Sequence, residues 1–534
     1  MHAFASRRRS PVSRPGNKSG TFDLSGARTI GRLLGMVLGL ALPAVAIAQT
    51  PTARVKLDSG IVVGANEGPV SVFKGIPYAA PPVGPLRWKA PQTVAPWTNV
   101  REARRFGAAC PQDDAHKEPW AQVGPTSEDC LFLNVWQPTK PGTYPVMVFI
   151  HGGGFTYGAA GVPLYDGAAL ARRGAVIVTI NYRLGRLGFF AHPALTREDP
   201  DGQLGNYGIM DQVAALRWVR RNIARFGGDP ANVTVFGESA GAGTVQVMMG
   251  SPSSRGLFQK AISESGAGGG ALFPIRGGPI NAEKLGELWT ASLGLKDATA
   301  AQLRAIPLAD IVKNGRAFPF IDGKVVVRSP GDPFYRNEEM RIPLMIGANS
   351  NESSLGGMNE AAAMALLGDQ FTALRDGYVA TGGKPRDAAT IDLAEDVGFV
   401  LPSFALADRH AANGNPAFAY FFDQVPVDQR AGAAGTDHGG ELEYVFGTKP
   451  AEHRWDARDA AVSKLMGDYW VRFARTGDPN GNGAPRWPAV TTTPTTYLSV
   501  GATTEVKRLE PIRERAKDAA MIDARKKWAL SPAQ

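Results

Sequence analysis

Cysteine is nearly absent from this chain: 534 residues carry only Cys110 and Cys130. Two cysteines are too few for a disulfide-dense scaffold or a cysteine-built zinc module. Histidine is scarce as well, at seven residues, so any chemistry needing an imidazole has few places to find one. There is no H-E-x-x-H motif and no other ligand cluster, so no metal is implied, and no dissociable cofactor is needed. No segment repeats at a fixed period, which excludes a solenoid or propeller. Beyond the first fifty residues there is no low-complexity tract and no long charge run. Long hydrophobic runs are lacking too. The apolar stretch 33–48 (LLGMVLGLALPAVAIA) falls short of the ~20 residues that a membrane span takes.

What is present is globular: 44% hydrophobic and 20% charged residues supply ample core material. Residues 1–48 have the pattern of a signal peptide. A long basic region (Arg7, Arg8, Arg9, Arg14, Lys18, Arg28, Arg32) precedes the apolar stretch, which ends in Ala46-Ile47-Ala48. Cleavage after Ala48 would remove seven basic residues and one acid, lowering the net charge from +9 to +3. The basic balance therefore belongs mostly to the leader, and no nucleic-acid partner is expected. The expected location is secreted or periplasmic, without stable membrane association. In that compartment Cys110 and Cys130 suit one disulfide closing a local loop. By the chain-entropy argument such a loop contributes about 3 kcal/mol.

Residues 53–78 alternate in short runs between Gly and Pro, as antiparallel strands and turns do. The wholly apolar runs 145–150, 175–182 and 233–236 have the look of strands buried on both faces. A helix is predicted over 208–226, stopped by Gly227-Gly228, and another over 241–249. Further strands are expected at 342–347 and 417–422, and an amphipathic helix at 457–476. Alternating strands and helices predict an α/β fold: a large, mostly parallel sheet with helices on both faces and extra helical insertions. No Gly/Ser-rich linker divides residues 49–534, so a single domain is expected.

Two motifs stand at predicted strand ends. Gly237-Glu238-Ser239-Ala240-Gly241 fits G-x-S-x-G between a strand and a helix, where small neighbours accommodate a sharp turn that exposes a nucleophilic serine. His151-Gly152-Gly153-Gly154 lets the backbone approach a carbonyl, and the N–H groups of Gly153, Gly154 and Ala240 are the expected oxyanion donors. A serine nucleophile needs a base. His151 and His192 precede Ser239, His410 falls on an amphipathic helix as a solvated residue, and His453 sits in a charged stretch. His438, in a Gly-flanked loop, is the best base. For the acid that orients it, Glu352 follows the 342–347 strand closely, and Asp322 is a rival, although Asp322-Gly323 suits a turn.

The chain from about Val55 to Pro488 resembles the type-B carboxylesterase and cholinesterase family. The resemblance rests on Phe73 to Ala79 (FKGIPYA), Ser127 to Leu131 (SEDCL), Asn181-Tyr182-Arg183, Gly205 to Gln212 (GNYGIMDQ) and Phe236 to Gly241. It implies an α/β-hydrolase fold and a triad at Ser239, Glu352 and His438. Two positions depart from the family pattern. The acid motif has Ser353 in place of glycine, and Ala242 stands where a second glycine usually follows the nucleophile. The resemblance further implies ion pairs Arg87–Glu128 and Arg183–Asp211, and a supporting polar cluster of Glu238, Glu441 and Ser265. Trp120 sits where cholinesterases line the gorge, although a loop tryptophan is more often a packing anchor.

The expected reaction is hydrolysis of a small-molecule carboxylic ester through an acyl-enzyme. A lipase acting on long-chain esters, or a hydrolase of a toxin or xenobiotic ester, shares the same triad. An adhesion module of the same fold would lack it.

Overall fold

A computed structural model describes residues 52–113, 122–198, 205–491 and 494–530. The leader 1–48, its cleavage point after Ala48, and Trp120 lie outside the described residues. β-Branched and aromatic runs form a thirteen-stranded sheet. Its strands are β1 (Thr52–Lys56), β2 (Ile61–Glu67), β3 (Val70–Pro77), β4 (Val100–Glu102), β5 (Phe132–Pro138), β6 (Tyr144–Ile150), β7 (Val176–Ile180), β8 (Gly228–Glu238), β9 (Lys260–Glu264), β10 (Leu344–Asn349), β11 (Ala417–Phe422), β12 (Thr496–Val500) and β13 (Thr504–Arg508).

The order is β1-β2-β3-β5-β7-β6-β8-β9-β10-β11-β12-β13, with β4 beside β2. From β7 to β12 every pairing is parallel. Apart from β4, which pairs parallel with β2, the flanks are antiparallel, from β1 through β5 to β7 on one side and at β12–β13 on the other. The mostly parallel expectation thus describes the centre of the sheet. Short connections such as 57–60 and 68–69 only allow hairpins, which fixes the β1–β2–β3 part of the antiparallel flank.

Alternation along the central strands feeds two cores. Val146, Val148 and Ile150 of β6 point into one, Met147 and Phe149 into the other. The first core takes the helix Tyr207–Asn222, the helix Ala240–Gly250 and the helix Leu401–Ala412. The second takes the helix Ala457–Thr476, through Met466, Tyr469, Trp470 and Phe473. Helices therefore cover both faces. The predicted 208–226 helix is an α-helix to Asn222 and then a tighter turn, Ile223–Phe226, ending on left-handed Gly227. The described elements all fall within one compact unit, Thr50–Gln534.

Polar anchors brace this frame. Arg183 holds Asp211 by two bonds of 2.7 Å, both side chains essentially without solvent. Arg87 grips Glu128 in the same forked way, at 2.5 and 2.7 Å. Cys110 and Cys130 are joined in a disulfide.

The expectation for His410 is overturned: it is fully buried, not solvated. Its Nδ1 lies 3.0 Å from Glu339 and its Nε2 2.8 Å from the Ile342 carbonyl, partners about seventy residues upstream that helical periodicity does not register. Asp322 is a turn residue. One carboxylate oxygen accepts the N–H groups of Lys324, Val325 and Val326, and the other accepts from Asn206 at 2.6 Å.

Candidate active site

The site lies along the C-terminal ends of the parallel strands, where side chains from separate connections converge. Ser239 sits between the last residue of β8 and the Ala240–Gly250 helix, with φ 55° and ψ −120°. A non-glycine residue is strained there, so the surroundings must over-determine it. Small neighbours make the turn possible. A Cβ on Gly241 would stand 2.0 Å from the Ile150 carbonyl oxygen, and one on Gly237 2.7 Å from the Gly241 carbonyl carbon. The Ser239 N–H donates to the Glu264 carbonyl at 2.8 Å, which ties the turn to β9.

Past β6, the glycine loop runs beside this turn. A Cβ on Gly152 would meet the Glu238 carboxylate at 2.4 Å and the Ser239 Cβ at 2.9 Å. Gly153 (φ 94°) and Gly154 (φ 56°) use the left-handed backbone open to glycine. Among the described residues, the N–H groups of Gly153, Gly154 and Ala240 donate to no protein acceptor. His151 anchors the loop, stacked on Tyr182 with centroids 4.5 Å apart, while the Tyr182 hydroxyl donates to the His151 carbonyl. Burial pushes the His151 imidazole down to about 4, so it is uncharged at neutral pH and serves as packing.

Glu352 opens the short turn Glu352–Leu355 three residues after β10 and is fully buried. One oxygen accepts from the Ser265 hydroxyl at 2.6 Å and from the Asn349 N–H at 2.7 Å. The other accepts from Nδ1 of His438. Ser353, the departure from the family pattern, is accommodated. Its N–H donates to Glu395 at 3.2 Å and its hydroxyl to the Asn351 side chain at 2.9 Å.

The His438 loop is fastened to the same turn. The His438 N–H donates to Ser354 Oγ at 2.8 Å, and the Asn351 amide donates to the Asp437 carboxylate at 2.6 Å. Phe399 packs edge-on to the imidazole at 5.2 Å. On the far side of the ring, Nε2 lies 3.0 Å from Glu238 Oε1, an ion-pair contact without hydrogen-bond geometry. Nε2 has no hydrogen-bond partner in this state, the Ser239 hydroxyl included. Burial alone would lower the His438 imidazole. The Glu352 and Glu238 carboxylates outweigh it and hold the imidazole well above its ordinary value.

Glu441 is fully buried and accepts from the Asn349 side-chain amide, while burial and the facing Glu238 push it up to about 8. The residues singled out as triad, oxyanion donors and supporting cluster thus lie along one rim, with two additions that sequence reasoning missed. Asn349 links Glu352 to Glu441. Glu264, the residue before Ser265, is fully buried and accepts the Trp470 indole N–H at 2.9 Å. The available signal was an acid ending the buried segment Lys260-Ala261-Ile262-Ser263, whose lysine disguised it as surface. Among the described residues, no group of three or more His, Cys, Asp or Glu is arranged to hold a metal ion.

A strained serine between strand and helix, a glycine loop with free N–H groups, and a buried acid against a histidine define an α/β-hydrolase. The model of the carboxylesterase family matches residues 49–373 and 368–517. The chain belongs to that family, and it is a serine carboxylester hydrolase. It is 36% identical to a fumonisin B1 esterase of Sphingopyxis macrogoltabida over 480 residues, covering 85% of this chain and 87% of that one. It is 37% identical to a para-nitrobenzyl esterase of Bacillus subtilis (strain 168) over 468 residues, covering 82% and 92%. A solved PNB esterase structure superposes with a TM-score of 0.76 at 32% identity, covering 87% of this chain and 99% of that one.

Proposed function

We propose that the chain hydrolyses small-molecule carboxylic esters in two halves, with Ser239 as nucleophile, His438 as base and Glu352 as the acid that orients it. Nε2 of His438 takes the Ser239 proton as Oγ bonds to the ester carbonyl carbon. The oxyanion accepts from the N–H groups of Gly153, Gly154 and Ala240. Collapse breaks the bond to the alcohol, which leaves with the proton from Nε2 and an acyl group on Ser239. Water then attacks, gives its proton to Nε2, and the acid departs as Ser239 is reprotonated.

The contact of Nδ1 with buried Glu352 supports this reading most, because it fixes the ring with Nε2 free to accept a proton. The Ser239–Nε2 contact forms as an ester fills the space against the glycine loop, in the way catalytic hydrogen bonds tighten on binding. The chain acts as a single domain over 49–534. Its leader directs export to the periplasm or beyond and is cut after Ala48, so mature protein begins at Gln49.

The test is a panel of p-nitrophenyl esters of rising chain length together with micellar long-chain esters. Soluble short and medium esters turn over, and Ser239→Ala loses at least ~10³-fold in kcat/KM. Turnover surviving in Ser239→Ala, or confined to micellar substrate, refutes the proposal.

A further inference from the structure

Glu238 and Glu264 are direct register partners on the parallel strands β8 and β9, so their side chains leave the sheet on one face, about 5 Å apart at the backbone. Glu441 and Glu352 join them at the same rim. All four are buried, none more than 5% exposed. Among the described residues, the only cationic group in ion-pair contact with any of them is His438, which touches Glu352 and Glu238. Four buried carboxylates with one imidazole, which touches only two of them, would leave charge without a counterpart, so protons are retained within the cluster.

The hydrogen bonds indicate where. Glu352 accepts from three donors, Glu238 faces the imidazole, and Glu441 accepts from Asn349. Glu264 and Glu441 each have one side-chain donor, the Trp470 N–H and the Asn349 amide. The second oxygen of each is buried without a partner, so these two are where protons are retained. The Glu264 main chain meanwhile holds the amide of Ser239.

We propose that Glu264 is kept as an uncharged carboxylic acid, its proton on Oε2, and that in this form it is a positioning residue. It clamps β9 between Trp470 and the Ser239 amide and leaves the negative charge around His438 to Glu238 and Glu352. Burial, and then the charges of Glu441 and Glu238, push Glu264 well above the carboxylate range, in the same direction. Tyr420, from β11, adds no positive charge to the cluster. The catalytic meaning of this arrangement rests on His438 being the base, but the acid itself can be observed without turnover.

The test is infrared spectroscopy of the full protein at a pH well above 8, where Glu441 has given up its proton. A carboxylic-acid carbonyl band is expected to persist there and to vanish in Glu264→Gln. In Trp470→Phe, which removes the N–H from Oε1, the band moves to higher frequency. That second variant keeps the assignment testable if Glu264→Gln folds poorly. Thermal melts add a sign. A carboxyl with a raised folded-state pKa loses its stabilising contribution as pH rises toward that value, so Glu264→Gln gains Tm relative to the native chain as pH rises from about 4.5. In the pH profile, the rising limb of kcat/KM keeps its position in Glu264→Gln. No acid band above pH 8, a band unmoved in both variants, or a limb displaced to lower pH would overturn the proposal. Loss of turnover in Ser239→Ala tests the ester-hydrolase reading separately.

Discussion

His438 Nε2 lies 3.0 Å from Glu238 Oε1, so the residue immediately before Ser239 supplies the second carboxylate facing this imidazole. With Glu352 it raises the imidazole above its ordinary range. In the proposed role of base, His438 acts only when deprotonated, so the rising limb of kcat/KM against pH is expected above the usual imidazole range. Glu238→Gln removes one charge and moves that limb to lower pH. A limb unchanged in the variant, fitted from initial rates across the pH range, contradicts this.

Ser265 donates its hydroxyl to buried Glu352 from a backbone with φ 56°. Hydrogen bonds to charged groups contribute about 1.5–3 kcal/mol, so Ser265→Ala should lower kcat by roughly tenfold to a hundredfold. KM should change little, because the hydroxyl faces the acid and not the ester. Steady-state kinetics on one soluble ester separates the two parameters.

Gly241→Ala should disrupt the turn outright. Its Cβ would stand 2.0 Å from the Ile150 carbonyl oxygen, a rigid backbone atom that cannot rotate away. A stability loss of about 3 kcal/mol is expected, accompanied by loss of turnover. Urea unfolding alongside an esterase assay reads both.

Arg183→Ala leaves Asp211 as an uncompensated buried charge, at a cost of about 3–5 kcal/mol. Replacing both with apolar residues should cost less than either single change. A double-mutant cycle on urea midpoints checks the inequality.

Much of this was legible in the sequence where period and spacing carry the information. The apolar strands, the Ala457–Thr476 helix and the G-x-S-x-G turn are local patterns, and local patterns survive in one dimension. Residues whose environment is made by distant partners were not legible. His410 fits an exposed helix face until Glu339 and Ile342 are folded against it. Glu264 carries a surface residue's chemistry, and only its register beside Glu238 and the reach of Trp470 bring it into the site. β9 went unnoticed for the same reason, since its ends are Lys260 and Glu264.

Ser239 and Glu352 stand just past β8 and β10, and the His438 loop is fastened to the Glu352 turn through Ser354 and Asn351, so their alignment is set by those few connections. The excursions 276–300 and 357–388 make no hydrogen bond to these groups and can lengthen, shorten or be exchanged while the three keep their spacing. A library confined to those stretches would then vary which esters are accepted and leave the bond-breaking apparatus intact.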